Sequence, residues 1–131
     1  MKNPNKRDRS MENLKKALGE LQAYILESTG RKVEKAGIIQ GFEFCFERFW
    51  NLFQVMAEEN GLSAQLPRLA ISAAYHLGFL SEEALWLKMM KDRNLTSHVY
   101  NEETANLIHD AIVNFYAPEM LAVMMRIDGK S

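Results

Sequence analysis

The sequence predicts an all-α protein, an antiparallel up-and-down four-helix bundle with one additional short helix. Apolar residues recur every three or four positions, no segment keeps the alternation of a strand, and the segments between helical patterns are short. The 131 residues match one domain. We expect residues 1–9 to form a flexible basic tail, residues 10–127 to form a single bundle, and residues 128–131 to fray.

The first two helices are predicted from continuous apolar stripes. Helix one starts after Ser10, a suitable N-cap, and ends at Gly30. Helix two spans residues 33–60, ends at Gly61 and is ~40 Å long. Its apolar stripe consists of Ile39, Phe42, Phe46, Phe49, Phe53 and Met56.

The apolar surface of helix two is wider than one neighbouring helix needs, because Phe44, Trp50 and Val55 lie beside the stripe. Either two or three helices pack on this surface, or part of it meets a second subunit. Glu43 and Glu47 lie four residues apart on the polar face. Paired carboxylates can bind a metal or exchange protons, but no histidine has the spacing to join them, so a solvated stripe is favoured.

The next two helices are shorter. Helix three begins at Pro67, which suits a first helical position, and ends at Gly78. Helix four begins after Ser81 and is expected to weaken at Thr96 and Ser97, whose hydroxyls compete for backbone hydrogen bonds.

The last helix is predicted to start after Asn101 and to be kinked or restarted at Pro118. Its apolar stripe is expected to consist of Ala105, Ile108, Ile112 and Phe115, and to continue beyond the proline through Met120, Val123, Met124 and Ile127.

Composition and missing motifs exclude several functions. A formal charge of −1 argues against sequence-blind binding to duplex DNA. The single cysteine, Cys45, cannot form an intrachain disulfide and is interpreted as a buried core thiol. No signal segment and no run of about 18 apolar residues occurs, so we expect a soluble, cytoplasmic protein without a membrane segment. No metal-binding or phosphate-loop motif occurs, so no metal and no cofactor are expected.

Residues 91–100 concentrate the groups that can bind phosphate or move protons. Arg93 shares a helix face with Trp86, so it should be partly buried and need an anion or a carboxylate as partner. His98 lies about 140° away on a continuous helix, but fraying would let it approach Arg93. Arg93 could instead pair with Asp92, Glu82 or a carboxylate on a neighbouring helix, with His98 as a polar helix end.

An arginine and a histidine at one pocket suit RNA cleavage. An imidazole with a pKa of about 6.5 can accept the proton of a ribose 2′-hydroxyl, while a guanidinium stabilises charge on the phosphate. This chemistry needs no metal, and DNA would resist it because DNA lacks the 2′-hydroxyl.

The pattern Arg93-x4-His98-x-Tyr100 resembles a signature of the HEPN superfamily. Over residues 10–127 the chain is similar to its nucleotidyltransferase substrate-binding protein branch, the HEPN partner in HEPN/MNT two-gene modules. Further similarity lies in the pair Pro67-Arg68 and in spaced aromatic and aliphatic positions.

The resemblance implies a bundle that forms a homodimer, with an Arg–His pair from each subunit lining a shared cleft. It implies a metal-independent ribonuclease toxin with Arg93 and His98 as catalytic residues and RNA as substrate. An MNT-type minimal nucleotidyltransferase would be the partner and would silence the toxin by adding AMP to Tyr100. Second-tier contacts would come from Asn94, Thr96 and Ser97. The same branch also implies a quieter role, a non-catalytic subunit that presents substrate to the nucleotidyltransferase.

Overall fold

The computed structural model describes residues 6–98 and 101–129, without the side chains of Ser97 and His98, and all regular structure in these ranges is helical. The elements are α1 (Lys6–Glu27), α2 (Lys32–Glu59), α3 (Pro67–His76), α4 (Glu83–His98), α5 (Glu102–Ala111), a π-helical turn (Ile112–Tyr116) and α6 (Ala117–Gly129). The last three follow one another without a break. The predicted all-α bundle of four main helices and one short helix, α3, is therefore confirmed.

Helix α2 lies at the centre of the bundle. It packs against α1, α3, α4 and α5, and α1 packs in addition against α6. Its predicted apolar stripe is buried along the whole length. Phe42 stacks on Tyr116 with ring centroids 5.4 Å apart, while Phe49 and Phe53 meet the edge of Trp86 at 4.9 and 5.2 Å. Aromatic burial therefore joins both α4 and the last helical segment to α2.

The wider apolar surface of α2 is covered only in part. Trp50 and Val55 are half-buried, whereas Phe44 is 57% exposed. Cys45 is buried, as predicted, and its burial, with a smaller effect of the Glu20 charge, raises the pKa of the thiol to about 12. A thiol with such a pKa is not a nucleophile near neutral pH.

The helices at the two ends of the chain are longer than predicted. Helix α1 begins at Lys6, so residues 6–9 are helical and the predicted start after Ser10 is wrong. Arg7 forms an ion pair of 3.3 Å with Glu59 at the end of α2, which holds the extra turn in place. Helix α6 continues to Gly129, and Asp128 pairs with Lys15 at 3.0 Å.

The predicted apolar stripe of the last helix is wrong at one position. Phe115 is 63% exposed, and Tyr116 is buried in its place. The π-helical turn explains this, because its wider turn delays the inward-facing position by one residue. Pro118 lacks the N–H that would bond to the carbonyl of Asn114, and the π turn accommodates that loss without breaking the helix.

Glu34 organises the turn between α1 and α2. Its Oε1 accepts hydrogen bonds from the N–H of Thr29 at 2.9 Å, the hydroxyl of Thr29 at 2.9 Å and the N–H of Arg31 at 3.0 Å. These bonds, led by the one from the Arg31 backbone, lower the pKa of Glu34 to about 2. Gly30 adopts a φ of +87° within this turn, where a side chain would be strained.

Within the described ranges, no helix combines the length and the apolar character that crossing a lipid bilayer requires.

The substitution Glu34→Gln is expected to lower the melting temperature at pH 7, because the anion accepts three hydrogen bonds. Since the pKa of Glu34 falls from 4.5 to about 2 on folding, this stabilisation is fully present above about pH 4.5 and is lost as the pH falls towards 2. Thermal unfolding followed by circular dichroism should show the gap between E34Q and the wild type closing over that interval.

Glu12→Gln is the matched control, because Glu12 is an exposed carboxylate on α1 with no hydrogen bond or ion pair in the described part of the chain. A gap that stays constant from pH 7 to pH 2, or that equals the gap of E12Q, would contradict the role of Glu34.

Candidate functional site

Arg93 lines a cleft where α4 crosses α2 and the start of α3. Its side chain is half-buried, with 31% exposed, as its position on the Trp86 face predicts. The cleft has a volume of about 380 Å³. It is lined by Phe46, Glu47, Trp50, Leu66, Pro67, Arg68, Met90, Arg93 and Asn94.

A carboxylate on the neighbouring helix accompanies the arginine. The Arg93 Nη2 atom lies 4.0 Å from Glu47 Oε2, and the Glu47 side chain is 46% exposed. This contact is an ion pair but is too long for a hydrogen bond. Of the partners weighed from sequence, Asp92 is engaged elsewhere, because its carboxylate accepts a hydrogen bond from the Tyr116 hydroxyl.

Thr96 fastens the last turn of α4 to α2. Its hydroxyl donates to Glu43 Oε2 at 2.6 Å and lies 2.7 Å from the carbonyl oxygen of Arg93. The predicted competition of this hydroxyl for the backbone appears in its contact with the Arg93 carbonyl, but the helix continues to His98. The hydroxyl is satisfied within the bundle and does not need to break the helix. Glu43 is therefore not simply part of a solvated stripe.

The continuous helix changes how Arg93 and His98 can be related. Position 98 lies about 140° around the axis from Arg93, but only about 40° from Asn94 and about 20° from Lys91. The side chains of Ser97 and His98, together with all of Val99 and Tyr100, lie outside the described residues. The Arg–His pairing and the predicted roles of Ser97 and Tyr100 therefore stay predictions.

A second cavity of about 480 Å³ continues the cleft along α4. It is lined by Arg68, Leu87, Met90, Lys91, Asn94 and Leu95. The two cavities share Arg68, Met90 and Asn94, and we call them together the α3–α4 groove. Asn94, which was predicted as a second-tier contact, thus lines both cavities of the groove.

Arg68 is the residue that sequence reasoning missed as part of the site. It was noted only as one half of the Pro67-Arg68 resemblance, although it lines both cavities. In the sequence it is only a cation in the first turn of a short helix, and this position does not predict that it lies near Arg93. Only the packing of α3 against α4 brings the two arginines to one groove.

A buried tyrosine of the π-helical turn, Tyr116, contacts α4 through Asp92 and Lys88. Burial, and then the hydrogen bond to Asp92, raise the pKa of Tyr116 well above its ordinary value. The ammonium of Lys88 lies 5.7 Å from the centroid of the same ring. Asp92 and Lys88 are one turn apart on α4, so this contact fixes the helix next to Arg93.

Among the side chains described, no group of three or more histidine, cysteine, aspartate or glutamate residues could hold a metal ion.

Residues 9–128 match the model of the family described as nucleotidyltransferase substrate binding protein like. The chain belongs to this family. No curated protein matches the chain.

Several solved structures are similar to this chain in fold. A crystal structure of a protein from Thermus thermophilus is 33% identical, covers 89% of this chain and 97% of that chain, and has a TM-score of 0.74. A chain of the mutant toxin–antitoxin MntA–HpeT is 13% identical over 94% of this chain and 97% of that chain, with a TM-score of 0.77.

The tri-AMPylated HEPN toxin of Shewanella oneidensis, solved in complex with its MNT antitoxin, is also similar. It is 14% identical, covers 95% of this chain and 98% of that chain, and has a TM-score of 0.78. At this identity the likeness concerns the fold. This member of the nucleotidyltransferase substrate binding protein like family therefore has the fold of a HEPN toxin.

Tyr116→Phe is expected to destabilise the protein by about 1–2 kcal/mol, because a hydrogen bond to a half-buried carboxylate is lost from α4. Urea unfolding at pH 7 measures the change in free energy. Tyr24→Phe is the control, since the Tyr24 hydroxyl makes no hydrogen bond within the described ranges. Equal unfolding midpoints for Y116F and Y24F would show that the Asp92 contact contributes nothing.

Proposed function

We propose that this chain is a HEPN-type toxin, a metal-independent endoribonuclease controlled by an MNT-type minimal nucleotidyltransferase. The observation that carries the proposal is Arg93, a half-buried guanidinium in an open cleft. A guanidinium that lines a cleft can bind phosphate oxygens in a forked geometry, in competition with the Glu47 carboxylate 4.0 Å away. Support also comes from the HEPN toxin and MNT antitoxin complex among the similar structures.

In the proposed reaction, His98 removes the proton from a ribose 2′-hydroxyl. The 2′-oxygen forms a bond to phosphorus and the bond from phosphorus to the 5′-oxygen breaks, which leaves a 2′,3′-cyclic phosphate. The leaving 5′-oxygen takes up a proton from solvent or from a second imidazole. Arg93 stabilises the negative charge that develops on the phosphate oxygens.

A homodimer belongs to the same proposal. Two copies would bring two Arg–His pairs to a shared cleft, with one copy supplying an acid where the other supplies a base. The exposed Phe44 on α2 lies on the α1 side of that helix and offers apolar surface for a contact outside this cleft.

A second candidate is a non-catalytic subunit that presents substrate to the nucleotidyltransferase. The description of the family favours it directly. This role needs the groove and Arg93 but does not need His98 as an acid or a base.

His98→Ala is expected to lower the rate of RNA cleavage by about 10²–10⁴-fold, because the general base is removed. Arg93→Ala should lower the rate by about 10²–10³-fold through lost charge stabilisation. Cleavage of a single-stranded RNA in the presence of a chelator, with identification of cyclic phosphate ends, measures both.

His76→Ala is the matched control, since His76 is an exposed histidine on α3 outside the groove. If the purified wild type leaves RNA uncut and its expression alone does not arrest growth, the ribonuclease proposal fails and the substrate-binding role is favoured.

Tyr100 is proposed as the site of control, because the resemblance of Arg93-x4-His98-x-Tyr100 to the HEPN signature implies transfer of AMP to this tyrosine. In the sequence it directly precedes Asn101, the residue that caps α5 through Thr104. Transfer of AMP would join the tyrosine oxygen to the α-phosphorus of ATP and release pyrophosphate. Incubation with the partner and ATP should add adenylyl groups by mass spectrometry and suppress cleavage. Tyr100→Phe should abolish both effects, whereas Tyr24→Phe should change neither; full modification of Y100F would refute the assignment.

A further inference from the structure

The α3–α4 groove carries an excess of positive charge that the rest of the chain does not. Its charged lining consists of Arg68, Lys91 and Arg93 against Glu47 alone. The whole chain has a formal charge of −1. A locally basic groove on a slightly acidic protein attracts an anion to that groove rather than to the surface in general.

Two of these cations are not neutralised by any neighbouring side chain that the structure describes. Arg68 and Lys91 are exposed and form no ion pair with any residue in the described part of the protein. Arg93 differs, because Glu47 lies beside it. Arg68 therefore offers a guanidinium that can bind an anionic group without first displacing a carboxylate.

The remaining walls of the groove are apolar. Trp50 is half-buried, Leu66 is exposed at the start of α3, and Leu95 is partly exposed at the far end of the second cavity. Apolar and aromatic side chains beside cations are the pattern that binds single-stranded nucleic acid, whose bases are open to stacking. A duplex keeps its bases stacked inside and offers such walls little contact.

We propose that Arg68 binds a second phosphate of a single-stranded RNA in the α3–α4 groove, next to the phosphate that Arg93 holds. Lys91 adds charge along the same wall, and the apolar side chains receive the bases. The proposal rests on the proposed function for the choice of RNA as ligand. It adds a binding residue on α3, a helix that carries no part of the Arg–His motif.

Fluorescence anisotropy with a 2′-O-methylated, labelled RNA oligonucleotide tests the proposal on the full chain. Such an oligonucleotide binds but cannot be cut, because its 2′-oxygens are blocked. Arg68→Gln should raise Kd about tenfold at low salt and reduce the slope of log K against log salt concentration by about 0.7, the loss expected for one phosphate contact. Arg68→Lys should retain the slope, because the charge remains.

Arg48→Gln is the matched control. Arg48 is also an exposed arginine with no ion pair among the described residues, but it lines a different cavity between α1 and α2. R48Q should keep Kd within about twofold of the wild type. Unchanged thermal unfolding of both variants would show that the loss of binding is local.

The outcomes separate this proposal from the ribonuclease proposal. If the wild type cuts no RNA but R68Q still weakens binding, RNA binding by Arg68 in the groove is supported and the proposed ribonuclease activity is refuted. If R68Q and R48Q bind equally well, Arg68 is not a phosphate ligand, whether or not RNA is cut. Absence of salt-dependent binding by the wild type, as expected if the groove receives an acidic protein segment, also overturns the proposal.

Discussion

The position of the candidate site depends on the burial of Trp86 against α2. The indole meets Phe49 and Phe53 edge-on, and its N–H donates to the carboxylate of Glu119 at 3.0 Å. A fully buried indole with its single donor satisfied resists rotation, so it fixes α4 about its own axis. Arg93 follows two turns later, about 20° around the helix from Trp86, and therefore faces α2 and becomes half-buried.

The orientation of α4 about its axis also decides which charged side chains lie close together. With Arg93 turned towards α2, Glu47 is within ion-pair distance, while Lys91 and Asn94 face the side where α3 begins. Arg68 reaches this side from the first turn of α3. The result is a division of roles, in which one cation is restrained by a carboxylate and the others remain open to solvent. An anionic ligand would compete with Glu47 at one end of the groove and meet no such competitor at the other.

Sequence reasoning succeeded where a feature depends on residues within one or two turns. Pro67 begins α3 and Asn101 caps α5, as predicted, because both signals act on the adjacent backbone. It failed where the outcome depends on distant packing. The exchange of Phe115 for Tyr116 follows from a π turn whose benefit lies in contacts to α2 and α4. The inclusion of Arg68 in the groove follows from how α3 packs, which no spacing along the chain encodes.

The π turn connects the last helical segment to the site more directly than its distance in sequence indicates. Two side chains that hold α4 lie on either side of Pro118: Tyr116 bonds to Asp92, and Glu119 bonds to Trp86. The π turn sets the direction of Tyr116, which stacks on Phe42 of α2 and bonds to Asp92 of α4. Pro118, which removes a backbone hydrogen bond from the helix, therefore lies next to the π turn, at the point where the helix makes both contacts with α4. The irregular helix thus helps to orient Arg93. It does so from outside the groove, because none of Tyr116, Asp92, Glu119 and Trp86 lines the groove.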